Sequence, residues 1–593
     1  MSIEDVNMPR LNPGFIMPAD PPSQGVVWQQ MTFREHIRSW NQKVVGNGNA
    51  LPHIVYVFVV IKLFVYLGLF LFCLRDNTER LLCEQNFKRF LLYNILGDLL
   101  GTNASSGPLG FRMKFGFVSW YNLLMPGSIT YPLVPGVSSR RHWIQSVGYL
   151  ALLSALVFAL RAPVITYNEL FPVAALLICL VPFDLVTFFV CRGEHYGYML
   201  VCCLVPWAHA LTGCQLVQLA LWFFAGTSKI GPWMKYVMCF MMPNSLFVRL
   251  TDMLGVLRFN WLFVDHPNDV NPHPVLKTLA KFGCLSEIML AILCASGVAI
   301  SRIQLGVIVA IGFHCFILSM FPFASVMEWN VFCLYLTLNL FYVNTLTFHD
   351  VYMLVTNCPV LTLFLFVVLI NIPIYGQLYP KSVPFLAAYR PYAGNWRKTW
   401  HVVDANATYK LRKLVTLESP FMAENASFLW GSNPALCEQL EEYFLGNMVF
   451  FPHFRPIVPI VEKLKAARGW NAHNDYALFF NECFINAVFG WSLGTGDFIK
   501  GGYFEALTTT CDFKAGECFV VVFEPHGLLD HTAEWHVVDA TDPDKKLIHG
   551  KVSYSELEKF QPADMTLEML QKCSILDGPE QNAADAILAK KHA

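Results

Sequence analysis

The chain has 593 residues, 55% of them hydrophobic and 15% aromatic but only 14% charged, against roughly 25% charged in ordinary soluble domains. That composition places it in the membrane class. Lys plus Arg (42) nearly balances Asp plus Glu (43), so no overall basic field recommends nucleic acid as a partner.

The first 50 residues carry Pro9, Pro13, Pro18, Pro21 and Pro22 and no long apolar core, so they lack the layout of a cleavable secretory signal and insertion is expected to begin at an internal span. Within the N-terminal segment 1–53, Phe33, Ile37, Trp40 and Val44 recur at helical spacing while Arg34, Arg38 and Lys43 lie off that face. This predicts an amphipathic helix in the headgroup layer. Residues 54–74 are long enough to cross a bilayer of roughly 30 Å despite Lys62.

The stretch 75–143 carries Arg75, Arg80, Lys88, Arg89, Arg112, Lys114, Arg140 and Arg141 among Gly/Pro-rich amphipathic segments and reads as a large basic loop with room for a short interfacial or re-entrant helix. Further spans are expected near 144–160, 171–191, 198–225, 234–248, 276–300, 303–324, 328–346 and 351–379, of which 144–160 and 234–248 are short. With the first, about nine candidates follow from the length rule. The expected architecture is a polytopic α-helical membrane domain over 54–380 and a soluble α+β domain over 381–593.

The composition changes after Tyr379. Lys381, Arg390, Arg397, Lys398, Lys410, Arg412 and Lys413 form a positive cluster beside the last span, which predicts a cytosolic C-terminal domain, with the basic 75–143 loop on the same side. Within that domain CFVVVFEP (518–525), a turn at His526–Gly527 and AEWHVVDA (533–540) resemble a hairpin, and helices are expected at 435–445 and 475–488. The hexapeptide Trp-His-Val-Val-Asp-Ala occurs at 400–405 and again at 535–540, with no wider similarity around it to mark a repeat unit.

Cys179, Cys202, Cys203, Cys294 and Cys315 sit in apolar runs as small buried hydrophobes. The C-terminal Cys437, Cys483, Cys511, Cys518 and Cys573 show no CxxC spacing, so neither a zinc site nor a disulfide framework is indicated. No metal-ligand spacing and no cofactor can be read elsewhere.

Ionisable groups inside spans are expensive and each is a functional candidate: Lys62, Asp184, His209, Lys229, Glu287, His314 and Glu328. Each also has a structural reading. Lys62 can snorkel or pair within the bundle, Asp184 can make a polar contact at the kink behind Pro182, and His209, Glu287 and His314 can be hydrogen-bonded packing residues. In the C-terminal domain His473, Asp475, His526, Asp530, His531 and Glu534 are candidates for a polar site, with His526 and His531 read as solvated residues bracketing a turn. Gly490, Gly494, Gly496, Gly501 and Gly502 mark tight turns and do not form a phosphate-binding GxGxxG.

The most informative segment is LALWFFAGTSKIGPWM (219–234), an apolar helix running into Ala225–Gly226, then Lys229, then Gly231–Pro232 as a stop and Trp233. Lys229 reads either as a snorkelling end residue or as an amine at the edge of an apolar pocket, able to act as a base. The pattern resembles the signature of the horizontally transferred transmembrane superfamily, which includes the vitamin-K-dependent γ-glutamyl carboxylase. The resemblance implies that Ala225, Gly226, Lys229 and Trp233 correspond and that Lys229 falls on the active-site base. GTSKIGPWMKYVMCFMMPNSLFVR (226–249), FGWSLGTGDFIKGGYFEAL (489–507) and the WHVVDA hairpin are in turn similar to an uncharacterised polytopic transmembrane family of bacteria and protists. That likeness implies a membrane core followed by a soluble tail.

Lys590-Lys591-His592-Ala593 resembles a dilysine retrieval signal; with a cytosolic tail it predicts residence in the endoplasmic reticulum. The expected function is that of a membrane-embedded enzyme acting on a lipid or other hydrophobic substrate, with Lys229 as base or anion-stabilising cation and Asp184, His209 and His314 as polar partners. A transporter or channel lined by the same groups, and a non-catalytic scaffold or chaperone whose tail binds a protein partner, are the alternatives.

Overall fold

The computed structural model describes residues 32–43, 53–74, 81–103, 123–414 apart from 246–247, 249, 252–253, 257–258, 301–302, 321–326 and 392, and then 446, 448–470, 475–480, 488–489 and 496–573. Val44, Arg112, Lys114, the expected helix 435–445, His473, Gly490, Gly494 and the dilysine segment lie outside the described residues.

The chain is mostly helical up to Leu378 and carries a β-sheet beyond it. Among the described residues four helices are long and apolar enough to cross a membrane: Trp143–Arg161, Trp207–Ser228, Pro274–Ser296 and Pro359–Leu378. Their ends follow local chemistry. Pro206 precedes the second of them; Pro274 opens the third, where its missing N–H costs no hydrogen bond and His273 Nδ1 accepts from the Val275 amide at 3.3 Å. The shorter helix Tyr167–Leu180 begins with a reciprocal cap, Thr166 N–H donating to Glu169 at 2.7 Å while the Thr166 side chain accepts from the Asn168 amide at 3.3 Å.

Several expected spans take a different form. Residues 198–225 divide at Pro206 into Tyr198–Cys202 and Trp207–Ser228, and 351–379 divide at Pro359 into Phe348–Asn357 and Pro359–Leu378; proline has no amide hydrogen to continue a helix. The 234–248 stretch is an eight-residue helix, Met234–Met241, and a 3₁₀ turn. At 1.5 Å per residue that is too short to cross, and Tyr236 instead meets Phe450, ring centroids 5.2 Å apart. Within the expected basic loop, Glu84–Leu99 is a helix buried on nearly every side. Its Arg89 side chain caps the carbonyls of Leu160, Ala162 and Pro163 at 2.7–2.9 Å, which is how a cation there is accommodated among apolar helices.

The sheet is five-stranded and wholly antiparallel, in the spatial order Tyr476–Phe480, Lys398–Asp404, Cys518–Glu524, Thr532–Asp539, Asp542–Ser553. The expected hairpin is its third and fourth strands in that order. The expected helix over 475–488 is corrected in its first part, where Tyr476–Phe480 is a strand, while 481–487 lie outside the described residues: this aromatic run pairs with Lys398–Asp404, Trp400 opposite Phe480, where a pleated edge favours it. The repeated hexapeptide supplies both neighbours of the central strand, Trp400 facing Val521 and Trp535 facing Phe523. Val521 and Phe523 are two apart on one strand, so both tryptophans lie on one face and His401 and His536 on the other. Each copy ends alike: Asp404 accepts from the Asn406 amide and Asp539 from the Thr541 amide, both at 2.9 Å.

The tryptophan face packs under Phe33–Lys43. Phe33, Ile37 and Trp40 are all but fully buried, Phe33 lies 6.2 Å from Trp400 and Trp40 lies 6.2 Å from Phe450, both edge-on. The amphipathic stripe therefore meets protein where a headgroup-layer position was expected, and Arg34 pairs with Glu462 at 2.7 Å. Both apolar cores cross the 380/381 boundary. One joins Trp400, Val521 and Trp535 to Trp233 and Tyr236; the other joins Val520, Phe498 and Tyr503 to Ile129 and Phe189.

Candidate functional site

The Lys229 site is built by close helix packing. An added Cβ at Gly226 would lie 2.8 Å from Ile288 Cγ1, 3.0 Å from its amide nitrogen and 3.1 Å from the Cys284 carbonyl, so only glycine lets Trp207–Ser228 and Pro274–Ser296 touch here. One turn on, Lys229 caps the first helix, and its ammonium forms an ion pair with Glu287, the residue before Ile288. The two side chains are 11% and 7% exposed, so the pair is shielded from solvent. Trp233 Nε1 donates to the Ser228 carbonyl at 3.3 Å, satisfying one of the acceptors that a helix end leaves open.

A second polar centre grows from three consecutive residues of the helix Met327–Leu336. Neighbouring helix positions point about 100° apart, so Glu328, Trp329 and Asn330 reach different elements. Glu328 pairs with Lys62 at 2.7 Å. Trp329 Nε1 donates to His195 Nδ1 at 2.9 Å, and His195 Nε2 lies 2.9 Å from Gln218 Oε1. Asn330 Oδ1 lies 2.9 Å from His314 Nδ1, whose Nε2 accepts from Trp222 Nε1 at 3.1 Å. An indole N–H only donates, so each imidazole is neutral, donating from its other nitrogen to an amide oxygen. Both nitrogens of both rings are occupied. Arg192 stacks on Trp329, 4.6 Å from the ring centre.

Of the residues expected to act together, Lys229 gains Glu287 as its direct partner. His314 joins the Trp222–Asn330 arrangement, with Trp222 on the same helix as Lys229. Asp184 is the N-cap of Leu185–Val190: it accepts from the Val186 amide at 3.1 Å, the Thr187 hydroxyl at 2.9 Å and the Tyr131 amide at 3.2 Å, and pairs with Arg141. His209, half-buried, lies in the first turn of Trp207–Ser228, 20 residues and so about 30 Å along the helix from Lys229. Those two are not brought to the lysine.

In the C-terminal region, Glu534 pairs with Lys381 and Asp530 caps the Thr532 amide at 3.1 Å. His531 is exposed at the turn. His526 differs from the solvated reading: it is 3% exposed, Asn395 brackets its backbone at 2.8 and 2.9 Å, and its ring stacks on Trp233 at 5.8 Å. The turn residue Gly527 lies where a Cβ would be 2.9 Å from the Leu378 carbonyl, and Leu528 N–H donates to the Gln377 carbonyl at 3.0 Å. The turn thus docks on the end of the last long helix. Sequence reasoning missed His195, Trp222, Trp329, His453 and Tyr554, none of which stands in a recognisable spacing; their roles exist only through contacts between distant segments.

Long apolar helices enclosing buried ion pairs define a transmembrane protein. The chain belongs to the family described as "Transmembrane protein of unknown function (DUF3556)", whose model matches residues 13–565. No curated protein and no solved structure matches it.

Proposed function

We propose that the protein is a membrane-embedded enzyme acting on a lipid or other hydrophobic substrate, with Lys229 as base or anion-stabilising cation and Glu287 as the group that holds it in place. The observation that carries this is the Lys229–Glu287 pair, shielded from solvent and fixed by the glycine contact at Gly226. An amine and a carboxylate in contact can pass a proton between them without leaving net charge, which suits proton transfer in an apolar setting. The likeness of Ala225-Gly226-x-x-Lys229 and Trp233 to the carboxylase-containing superfamily supports the same role. His314 is a positioning residue in this reading, since neither ring nitrogen is free.

The reading includes repeated crossing of the bilayer by the helices between His53 and Leu378, a cytosolic C-terminal region on the argument of the basic cluster 381–413, and residence in the endoplasmic reticulum where the native chain ends in the dilysine sequence. Lys590→Ser with Lys591→Ser should then release the protein to later compartments. A transporter is favoured by one observation, the second buried pair Lys62–Glu328 on a different helix. Comparing the lipids and solute fluxes of cells with and without the protein separates the two. Accumulation of a defined precursor supports the enzyme; an unchanged lipid profile with altered flux overturns it.

A further inference from the structure

His453, His526 and Tyr554 meet where the C-terminal region closes over Trp233. They come from three elements: the 3₁₀ turn Pro452–Phe454, the turn after Cys518–Glu524, and the short helix Tyr554–Leu557. Ring centroids are 5.2 Å apart for His453 and His526, 5.5 Å for His453 and Tyr554, and 5.9 Å for His526 and Tyr554. The residues are 1%, 3% and 1% exposed. Both ring nitrogens of His453, Nε2 of His526 and the Tyr554 hydroxyl have no hydrogen-bond partner among the described residues. Nearly all buried polar groups in native proteins are paired. Four unpaired atoms on three touching side chains therefore point to a ligand.

The hydrogen-bonding capacity of the triangle narrows its chemistry. His526 Nδ1 donates to the Thr532 carbonyl at 2.5 Å; a carbonyl only accepts, so Nδ1 carries the hydrogen and Nε2 presents a lone pair. Burial, reinforced by Arg390, pushes His526 down to about 4, and burial with the neighbouring His526 and Arg455 holds His453 well below the usual imidazole range. Both rings are therefore neutral at pH 7. A metal ion would sit near two guanidinium groups, with no carboxylate in the triangle, and Glu558 is already engaged by Lys235 at 2.9 Å. A fully deprotonated anion offers no hydrogen to Nε2. A hydroxyl group satisfies both demands, giving its hydrogen to His526 Nε2 and accepting from His453 or Tyr554.

The surroundings define the rest of the ligand. Trp233 stacks on His526 and meets Tyr554 edge-on at 6.4 Å, and it lies four residues past Lys229, the C-cap of the long helix Trp207–Ser228, where the helix Met234–Met241 begins. We propose that His453, His526 and Tyr554 bind the hydroxyl group of an amphiphile whose apolar part lies among the bundle helices. This rests on the lipid-substrate reading above and adds the substrate class, a long-chain alcohol.

The test uses the full chain in phosphatidylcholine vesicles and compares binding of radiolabelled 1-hexadecanol with that of its methyl ether, which cannot donate. The wild-type protein should hold the alcohol about tenfold more tightly, equivalent to about 1.4 kcal/mol. His526→Phe should bring the ratio to about one, because it removes the acceptor that only the alcohol can use; Tyr554→Phe removes a donor that the alcohol and ether oxygens accept from alike, so it should weaken both and leave the ratio about tenfold while keeping the packed ring. Discrimination that persists in a protein whose deletion leaves the lipid profile unchanged would sink the enzyme reading and leave this site standing. Equal wild-type binding of alcohol and ether overturns the proposal. So does discrimination that survives His526→Phe, alcohol affinity that is unchanged in Tyr554→Phe, or a stoichiometric metal ion that elemental analysis finds in the wild type and loses in His526→Phe.

Discussion

Lys229 reaches Glu287 because Gly226, one turn earlier, lets the two helices touch at Ile288 and Cys284. Gly226→Ala would force a Cβ into Ile288 and the Cys284 carbonyl and should part the helices. Overpacking of this kind typically costs about 1–3 kcal/mol, and loss of activity should exceed what the stability loss explains. Gly283, on the Glu287 helix with nothing within 4 Å of its Cβ position, is the control. Thermal unfolding and complementation should separate the two, and equal tolerance at both positions would refute the packing account.

Substitutions of the pair itself distinguish chemistry from anchoring. Lys229→Ala or Glu287→Ala alone leaves a buried uncompensated charge, at a cost of about 3–5 kcal/mol, whereas Lys229→Met combined with Glu287→Leu should restore much of the stability. Activity should be absent in all three. Lys229→Arg keeps a cation opposite Glu287, but a guanidinium stays protonated and cannot act as a base near neutral pH. If Lys229 is the base, complementation by the Arg variant should fall on the order of 10²–10⁴-fold while the protein still accumulates. Full activity of that variant would defeat the catalytic role.

What could be read from the chain follows from the range of the forces involved. Hydropathy marked the helices around 143–161, 207–228, 274–296 and 359–378, because bilayer thickness imposes a local length rule. The hairpin of 518–524 with 532–539 was legible because its alternation and turn are contiguous. Glu84–Leu99 was legible only as room for a short helix in a basic loop, since Arg89 looks like a loop residue until the Leu160, Ala162 and Pro163 carbonyls are seen around it. Trp40 marked an amphipathic face correctly, yet only tertiary structure shows that Phe450 covers it. The Lys229 segment stood out by local pattern. Its partner Glu287, 58 residues away, stood only among the buried ionisable groups, because nothing local links the two.

Orientation gives a separate test. If the cluster 381–413 fixes the C-terminal region in the cytosol, protease added to sealed microsomes should remove it. Asn406 is exposed and begins an Asn-Ala-Thr sequon, a glycan acceptor only on the luminal side. A shift in mass on glycosidase treatment that disappears in Asn406→Gln would reverse the assignment.

The sheet should be the acid-labile part of the protein. Burial pushes His526 and His536 down to about 4 and His401 to about 3, against about 6.5 in an unfolded chain. Above that value both states are neutral and the stability is fully present. Between about 6.5 and 4 the unfolded chain takes up protons that the folded sheet refuses, so stability falls as pH falls, by at most about 3 kcal/mol for each well-buried ring. Glu505, held low by the Ser139 hydrogen bond and Arg140, adds its own loss only below about 4.5, outside most of that window. Hydrogen exchange on the full chain in detergent should therefore show protection in strands Lys398–Asp404, Cys518–Glu524 and Thr532–Asp539 declining from pH 7 to 4. His536→Gln, which cannot charge, should shift the decline to lower pH. Protection that stays flat across the interval would mean these histidines are already protonated, or reached by water, in the native sheet.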